Sequence, residues 1–294
     1  MLDLSNHYQS KRLDYNAALG LDEHVPLGNI GFCNIGPNRR LVAVRQFNDR
    51  LHWWLLPGEK PGWIGRFLDN RAYYFIVTDS DFNFIRRVEC DYKKLWALED
   101  IRLMNIGGNI IQASATDVSP GQEKYGMCSI QFKMCGIDND GPTRLDAVKT
   151  HAFPIRHEKN YMPIEGTVGA FVTDIETNKF KVQTIFDHGG KRNCYCAGLS
   201  PIRGSSPLLR YNGGYVAVVH RKIPRQDRYI NSFMFCNGKM TLCRFSREFV
   251  VDGAKSPINF LCGMSVENGC AVLPFCVNDR LTYLYKIPLK DFDR

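Results

Sequence analysis

Long apolar runs are the first thing that this sequence lacks. Its 294 residues contain no uninterrupted apolar stretch of about 18, the length that a membrane-spanning helix needs. Residues 1–7 also lack the basic segment and following apolar segment of a secretory signal. The sequence therefore predicts a chain without a membrane span, and we expect it in the cytoplasm.

Helix signals and metal-site spacings are also scarce. Residues 93–98 are the best candidate for a single helical turn. None of the 11 cysteines lies in a Cys-x-x-Cys pair, and Cys194 and Cys196 are too close together for the usual zinc site. We expect no metal and no cofactor. Buried, reduced thiols are predicted for the cysteines that lie inside apolar strands, such as Cys128, Cys236, Cys262 and Cys276.

Clustered basic charge is the third feature that is missing. The net charge is +8, but the 38 lysines and arginines are scattered and form no long basic run or known nucleic-acid motif. Nucleic acid is therefore not an expected partner. A pocket that binds phosphate groups would account for part of the positive excess.

Short apolar strands with regular turn signals are abundant and favour an all-β fold. One hairpin pattern recurs, with an apolar body and polar residues at its open end. The clearest copy spans residues 99–117 around a Gly-Gly turn. Because the two strands of a hairpin run side by side, Glu99, Asp100 and Arg102 at its start should lie beside Thr116 and Asp117 at its end.

The hairpin pattern predicts the overall architecture. Its five copies begin about 45 to 70 residues apart, a spacing that suits four-stranded blades. They span residues 29–48, 99–117, 158–174, 203–222 and 259–279. We expect a five-bladed β-propeller as a single domain over residues 28–294, after a lead-in over residues 1–27 that can hold one outer strand. Five blades would bring all five polar ends around one axial pocket.

The polar ends of the five hairpins carry the candidate site. An inverting glycosidase needs two carboxyl groups, one as acid and one as base. A phosphorylase or transferase instead needs one acid and several cations that hold phosphate. The mixture of side chains favours the second chemistry. Its members are Asn34, Arg45, Asp100, Arg102, Lys159, Asn160, Asp174, Arg203, His220 and Asp279.

With these residues in place, the sequence resembles the β-mannoside phosphorylases of glycoside hydrolase family 130 and related β-mannosyltransferases, which are five-bladed propellers. The resemblance covers roughly residues 28 to 288, in the order of the family. The family carries Glu-Asp-Pro-Arg where this chain has Glu-Asp-Ile-Arg at residues 99–102. The other matching motifs are Lys to Pro within 158–163, Gly-Ser-Ser-Pro leading to His within 204–220, Val-Asn-Asp at 277–279, and Asn34 with Arg45.

The resemblance implies roles for individual side chains. Asp100 would be the general acid, acting on the leaving oxygen directly or through a sugar hydroxyl. Phosphate would be held by Lys159, Arg45 and His220, and the hydroxyls of the −1 sugar by Asn34 and Asp279. Arg102 and Asn160 are expected beside the substrate, and Arg203 is added from its position alone. Ile101 replaces the family's proline, so the Asp100 loop can be set differently.

These observations predict an inverting enzyme that forms or phosphorolyses a β-linked hexoside, with mannose as the expected sugar. Its partners would be a sugar or glycan acceptor and phosphate, a sugar 1-phosphate or a nucleotide sugar. One alternative is a nucleotide-sugar glycosyltransferase on the same propeller. The Asp-x-Asp motif that is typical of such enzymes occurs at 79–81 and 138–140, but the surrounding pattern predicts a hairpin turn at both segments. The other alternative is a non-catalytic glycan-binding propeller. The sequence predicts no oligomeric state.

Overall fold

A computed structural model describes most of the chain. The described residues are 2–4, 8, 10–47, 73–117, 126–152, 160–167, 169–174, 179–184, 192–196, 202–223, 228–251 and 258–293. They form an all-β protein with one short helix, Asn16–Leu19, and two 3-10 turns, Leu95–Ala97 and Leu289–Asp291. The first of these turns confirms the prediction for residues 93–98. Over the described residues, no helix has the length and apolar character needed to cross a membrane.

The first half of the chain forms an eight-stranded sheet in the order β3-β4-β5-β6-β10-β9-β8-β7. It consists of two antiparallel four-stranded groups that meet where β6 and β10 pair in parallel. The strands up to this point are β1 (Leu2–Asp3), β2 (Ser10–Leu13), β3 (Leu27–Gly36), β4 (Arg39–Gln46), β5 (Tyr73–Thr78), β6 (Phe84–Cys90), β7 (Leu98–Gly107), β8 (Ile110–Asp117), β9 (Gly126–Cys135) and β10 (Arg144–Ala152).

The second half supplies the remaining strands. They are β11 (Met162–Pro163), β12 (Gly169–Asp174), β13 (Lys179–Thr184), β14 (Arg192–Cys196), β15 (Ile202–Gly204), β16 (Leu209–Tyr211), β17 (Gly214–Ile223), β18 (Arg228–Cys236), β19 (Leu242–Phe245), β20 (Phe249–Val250), β21 (Asn259–Phe260), β22 (Ser265–Glu267), β23 (Cys270–Val277) and β24 (Leu281–Pro288). Strands β11 to β14 form one antiparallel run, and β15 and β16 both pair with β17, which pairs with β18. The last group contains β21 to β24 and takes β2 as its edge strand.

The strand groups follow one another around a common centre. Strand β7 contacts both β3 and β11, β12 contacts β15, β16 contacts β22, and β23 returns to contact β3. In the β3–β4 and β7–β8 hairpins, the start of the first strand lies beside the end of the second strand, as the hairpin pattern predicts. This arrangement brings far-apart parts of the sequence to one region of the molecule.

Strands that are apolar on both faces explain the continuous apolar runs of the sequence. In β4, Leu41 and Ala43 pack into one buried cluster while Val42 and Val44 pack into another. Alternate side chains point to opposite faces of a strand, so a strand covered on both sides needs apolar residues at every position. Neighbouring strand groups therefore cover both faces of β4.

One cysteine prediction is wrong. Cys236 and Cys243 lie directly opposite each other in the β18–β19 pair and form a disulfide. The register of the hairpin brings the two together, which their sequence separation of 7 does not reveal. Cys128, Cys262 and Cys276 are free thiols, as predicted.

Candidate functional site

Asp100 lies in a β-bulge at the start of β7. Glu99 pairs with Thr116 and Arg102 pairs with Ser114, which leaves Asp100 and Ile101 in the shifted register between them. The backbone of Asp100 is left-handed, with φ of 56°. A bulge bends its strand and re-aims a side chain, and left-handed non-glycine residues cluster at functional sites. The bulge therefore sets the direction of the Asp100 carboxylate.

An asparagine and an arginine contact the Asp100 carboxylate. Asn29 donates from Nδ2 to Oδ1 at 2.9 Å, and Arg45 Nη1 lies 3.5 Å from the same oxygen. The other end of the Arg45 guanidinium binds Glu99, with 2.9 Å between Nη2 and Oε1. The Asp100 side chain is 20% exposed. A partly exposed carboxylate with hydrogen-bond donors behind it can exchange a proton with a bound ligand.

Arg45 is buried, and the surrounding carboxylates keep it charged. Burial alone lowers its pKa, but the negative charges of Glu99, Asp100 and Asp279 act in the opposite direction, and the net pKa is raised. The guanidinium also stacks on the ring of Phe47, 4.7 Å from its centroid. The arrangement places the predicted residues Arg45, Asp100 and Asp279 in one centre.

The structure corrects the expected role of Arg102. This residue is 0% exposed, so its side chain does not reach a substrate. It donates from Nη1 to the Asp100 carbonyl at 2.8 Å and from Nε to the Ser205 carbonyl at 2.5 Å. Its Nη2 lies 3.3 Å from Asn160 Oδ1 and 3.4 Å from the Gly204 carbonyl. Arg102 therefore joins three strand groups around the bulge instead of binding substrate.

His220 lies on the other side of this arginine. Its Nδ1 is 2.7 Å from the hydroxyl of Ser205, whose carbonyl accepts from Arg102. Its ring packs against Tyr229 and Phe260, at centroid distances of 4.8 and 5.3 Å. His220 thus has a fixed orientation and is buried. The half-buried Arg203 lies directly opposite it in the β15–β17 pair.

Left-handed backbone recurs at the polar end of several strand groups. The φ angles are 45° at Asn29, 56° at Asp100, 62° at Asn160 and 55° at Asp279. Asparagine and aspartate adopt this conformation more readily than other residues with a side chain. Asn29 contacts Asp100, Asn160 contacts Arg102, and the charge of Asp279 acts on Arg45, so four separate parts of the chain contribute polar side chains to this centre.

The structure does not bring Asn34 to this centre. Asn34 pairs with Arg40 beside the turn of the β3–β4 hairpin, whereas Arg45 pairs with Gly28 at the open end. Five residues along a strand span roughly 16 Å, so Asn34 lies far from the site. Asn34 is exposed, and its carbonyl accepts from Asn105. The prediction for Asn34 is wrong because it ignored this register, and Asn29 occupies the open end instead.

Two predicted residues lie outside what the structure describes. Lys159 precedes the described segment that begins at residue 160, and the side chain of Asp174 in β12 is not described. The sequence reasoning also missed Tyr73, which lies opposite Arg45 in the β4–β5 pair. Two register shifts, between Gly28 and Gly31 and between Asn34 and Gly36, hide Asn29 from a count of pairs outward from the turn. Only the pairing of β5 reveals Tyr73.

A close approach of two backbones holds β3 against the bulge. A Cβ atom built on Gly31 would lie 2.0 Å from the carbonyl oxygen of Ile101. Only glycine fits at this position, because any side chain would push β3 away from the residue after Asp100. The sequence thus sets the distance between the strand of Asn29 and the strand of Asp100.

Solved structures share this fold. The β-1,2-mannobiose phosphorylase from Listeria innocua, solved with β-1,2-mannobiose, superposes with a TM-score of 0.64 at 12% identity, covering 96% of this chain and 98% of the other. The fold resembles that of glycoside hydrolase family 130. A second structure comes from this family of mannoside phosphorylases, which contains glycoside hydrolases that target β-1,2 mannosidic linkages in Candida mannan. It has a TM-score of 0.54 at 9% identity, covering 97% of this chain and 90% of the other.

A third similar structure is a glycosyl hydrolase from Bacteroides ovatus, with a TM-score of 0.55 at 10% identity and coverage of 89% and 84%. No protein-family profile and no curated protein sequence matches this chain. At these identities the similarity establishes the fold, and the chemistry has to be argued from the residues of the site.

Proposed function

We propose that this chain is a carbohydrate-active enzyme that cleaves or forms a β-mannoside with inversion, with Asp100 as the general acid. The observation that carries the proposal is the Asp100 bulge, where a partly exposed carboxylate on left-handed backbone accepts from Asn29 and lies beside Arg45. The neighbours with the same fold include a phosphorylase and a hydrolase. Glycosyl transfer is the chemistry that such a carboxylate and this fold have in common.

In the proposed reaction, Asp100 donates its proton to the bridging oxygen as the bond from that oxygen to the anomeric carbon breaks. A phosphate oxygen bonds to the opposite face of the same carbon, so a β-mannoside yields α-mannose 1-phosphate. The negative charge left on Asp100 is stabilised by the Nδ2 donor of Asn29 and the Arg45 guanidinium. Transfer to an acceptor sugar is the reverse, with Asp100 recovering its proton from the acceptor hydroxyl.

The architecture that supports this chemistry is a five-bladed propeller. We take the first strands of its blades to be β3, β7, β11, β15 with β16, and β21 with β22. Their mutual contacts run in sequence order and return from β23 to β3. On this reading the four left-handed polar residues line the mouth of one axial pocket. The cytoplasmic location stays a prediction.

Hydrolysis is a second candidate because of the charge balance around Arg45. Glu99 and Asp100 already engage both ends of its guanidinium, and Asp279 adds a further negative charge. Because Arg45 is engaged by these carboxylates, phosphate binding would depend on His220, Arg203 and Lys159. A centre with more than one carboxylate instead suits water activated by a base.

The test is to incubate the purified protein with β-1,2-mannobiose, with and without inorganic phosphate. Sugar 1-phosphates and nucleotide sugars are supplied in parallel with simple acceptors, and the release of phosphate or nucleotide is followed. Phosphate-dependent formation of mannose 1-phosphate supports phosphorolysis, and mannose formed without phosphate supports hydrolysis. Absence of turnover with every β-mannoside and every donor would contradict the proposal.

A further inference from the structure

Tyr73 carries a buried hydroxyl that packing alone does not explain. Tyr73 begins β5 and lies directly opposite Arg45, so the two side chains share one face of the sheet. The residue is 7% exposed, and its hydroxyl oxygen has no hydrogen-bond partner among the residues that the structure describes. An unpaired buried hydroxyl destabilises the folded protein, and phenylalanine at this position would avoid that cost.

The charged centre surrounds this hydroxyl. The groups that act on it are Arg45 from β4, Glu99 and Asp100 from β7, and the Cys262 thiol that follows β21. Asp279, which follows β23, acts on Arg45, and the Cys276 thiol near the end of β23 acts on Cys262. Burial raises the pKa of Tyr73, so the hydroxyl stays protonated and acts as a neutral donor. Its strongest nearby acceptors are the two carboxylates of β7.

Two further polar atoms of the centre are also unpaired among the described residues. They are the Nε of Arg45 and the Oδ1 of Asn29, and both residues contact Asp100 through their other polar atoms. The three atoms together offer donors and an acceptor. A buried water needs two to four such partners, so this is a polar environment that can hold one.

We propose that Tyr73 is a positioning residue of this site, whose hydroxyl donates through one bound water molecule to the carboxylate of Asp100. This inference rests on the proposed function, in which Asp100 loses a proton as the glycosidic bond breaks. A donor on the carboxylate side stabilises the charged form of Asp100, which makes it a stronger acid. The role is distinct from substrate binding, because Tyr73 acts through the water and through Asp100.

Tyr73→Phe tests the inference, with Tyr74→Phe as its matched control. Tyr74 is the next residue of β5, points to the other face and donates to Gln46 Oε1 at 2.8 Å. We expect Tyr73→Phe to keep or gain thermal stability while kcat falls about tenfold or more and KM stays near the wild-type value. The alkaline limb of its pH profile should move up by about one pH unit, because Asp100 holds its proton more tightly.

Tyr74→Phe should do the opposite, losing stability because Gln46 loses its donor while kcat and the pH profile stay as in the wild type. The inference is overturned if Tyr73→Phe has the kcat and pH profile of the wild type, or if it fails to fold. If the hydroxyl only stabilised the fold, its removal in Tyr73→Phe would lower thermal stability. If it acts through Asp100, its removal would move the alkaline limb of the pH profile.

A second measurement separates this inference from the proposed function. If the wild-type protein turns over no substrate, the function fails, but Asp100 can still be titrated in the ligand-free protein by ¹³C NMR of labelled aspartate. The signal is assigned by its loss in Asp100→Asn. A higher Asp100 pKa in Tyr73→Phe than in the wild type supports the water-mediated contact, and an unchanged pKa overturns it.

Discussion

Arg102 donates a hydrogen bond of 2.8 Å to the backbone carbonyl of Asp100, two residues before it in the chain. The same guanidinium reaches the carbonyls of Ser205 and Gly204, more than 100 residues later. One fully buried side chain therefore ties the backbone of the proposed acid to a distant strand group. The site depends on this link for its geometry.

The first prediction concerns this link. Arg102→Lys keeps the charge but removes the planar fork that serves several carbonyls at once. We expect a loss of about 3 kcal/mol in the free energy of unfolding, since hydrogen bonds to a charged group contribute about 1.5–3 kcal/mol each. Urea denaturation measures it, with the exposed Arg12→Lys as control. Equal stability of the two variants would contradict the assigned role.

The second prediction distinguishes the two asparagines of β3. Asn29→Gly suits the left-handed backbone but removes the amide that donates to Asp100. We expect kcat/KM to fall about tenfold, the equivalent of one hydrogen bond to a charged group. Asn34→Ala should leave kcat/KM unchanged. Steady-state kinetics measure kcat/KM for both variants. A larger loss in Asn34→Ala than in Asn29→Gly would show that Asn34, and not Asn29, belongs to the site.

The third prediction tests the close approach of β3 and β7. Gly31→Ala places a Cβ against the Ile101 carbonyl and should cost about 1–3 kcal/mol of stability, with loss of activity as the bulge shifts. Gly36→Ala on the same strand is the control, because its Cβ would meet only the Arg39 Cβ at 4.0 Å. Thermal unfolding and kinetics measure both. A stable, active Gly31→Ala protein would refute the argument.

The fourth prediction concerns acid sensitivity. Arg221 donates to both oxygens of Glu248, at 2.5 and 2.9 Å, and this contact lowers the pKa of Glu248 below its usual 4.5. The stabilisation is therefore complete above pH 4.5 and is lost as the pH falls through the lower pKa of the folded protein. Glu248→Gln should be less stable than the wild type at neutral pH, and the difference should shrink towards about pH 3.

Urea denaturation across this pH range measures the difference, with the exposed Glu89→Gln as control. The control should match the wild type throughout. A difference for Glu248→Gln that stays constant from neutral pH to about pH 3 would show that the charge of Glu248 does not stabilise the fold.

Local patterns carried much of the fold prediction. Alternating apolar residues and glycine turns predict the β7–β8 and β16–β17 hairpins, and the hairpin geometry correctly places Thr116 beside Glu99. The bulge at Asp100 was not predicted, because nothing in the spacing shows that Asp100 and Ile101 will oppose the single residue Ala115 on the partner strand. The left-handed backbone follows from that bulge and is equally hidden in the sequence.

The site was predicted less completely, for reasons of register and burial. Asn34 and Asn29 differ by five positions on one strand, and only the pairing of Gly28 with Arg45 decides between them. Arg102 looks like a substrate-binding cation in the sequence, yet its burial depends on Ser205 and Asn160 from other strand groups. Tyr73 joins the centre through sheet pairing alone.

The most direct test of the central claim compares the wild type with Asp100→Asn by ¹H NMR during incubation with β-1,2-mannobiose and phosphate. Asparagine tolerates the left-handed backbone at this position, so the fold should be retained. The account predicts an α-anomeric first product from the wild type and a rate about 10²–10⁴ lower in the variant, the usual contribution of a general acid. Equal rates for the two proteins would contradict it.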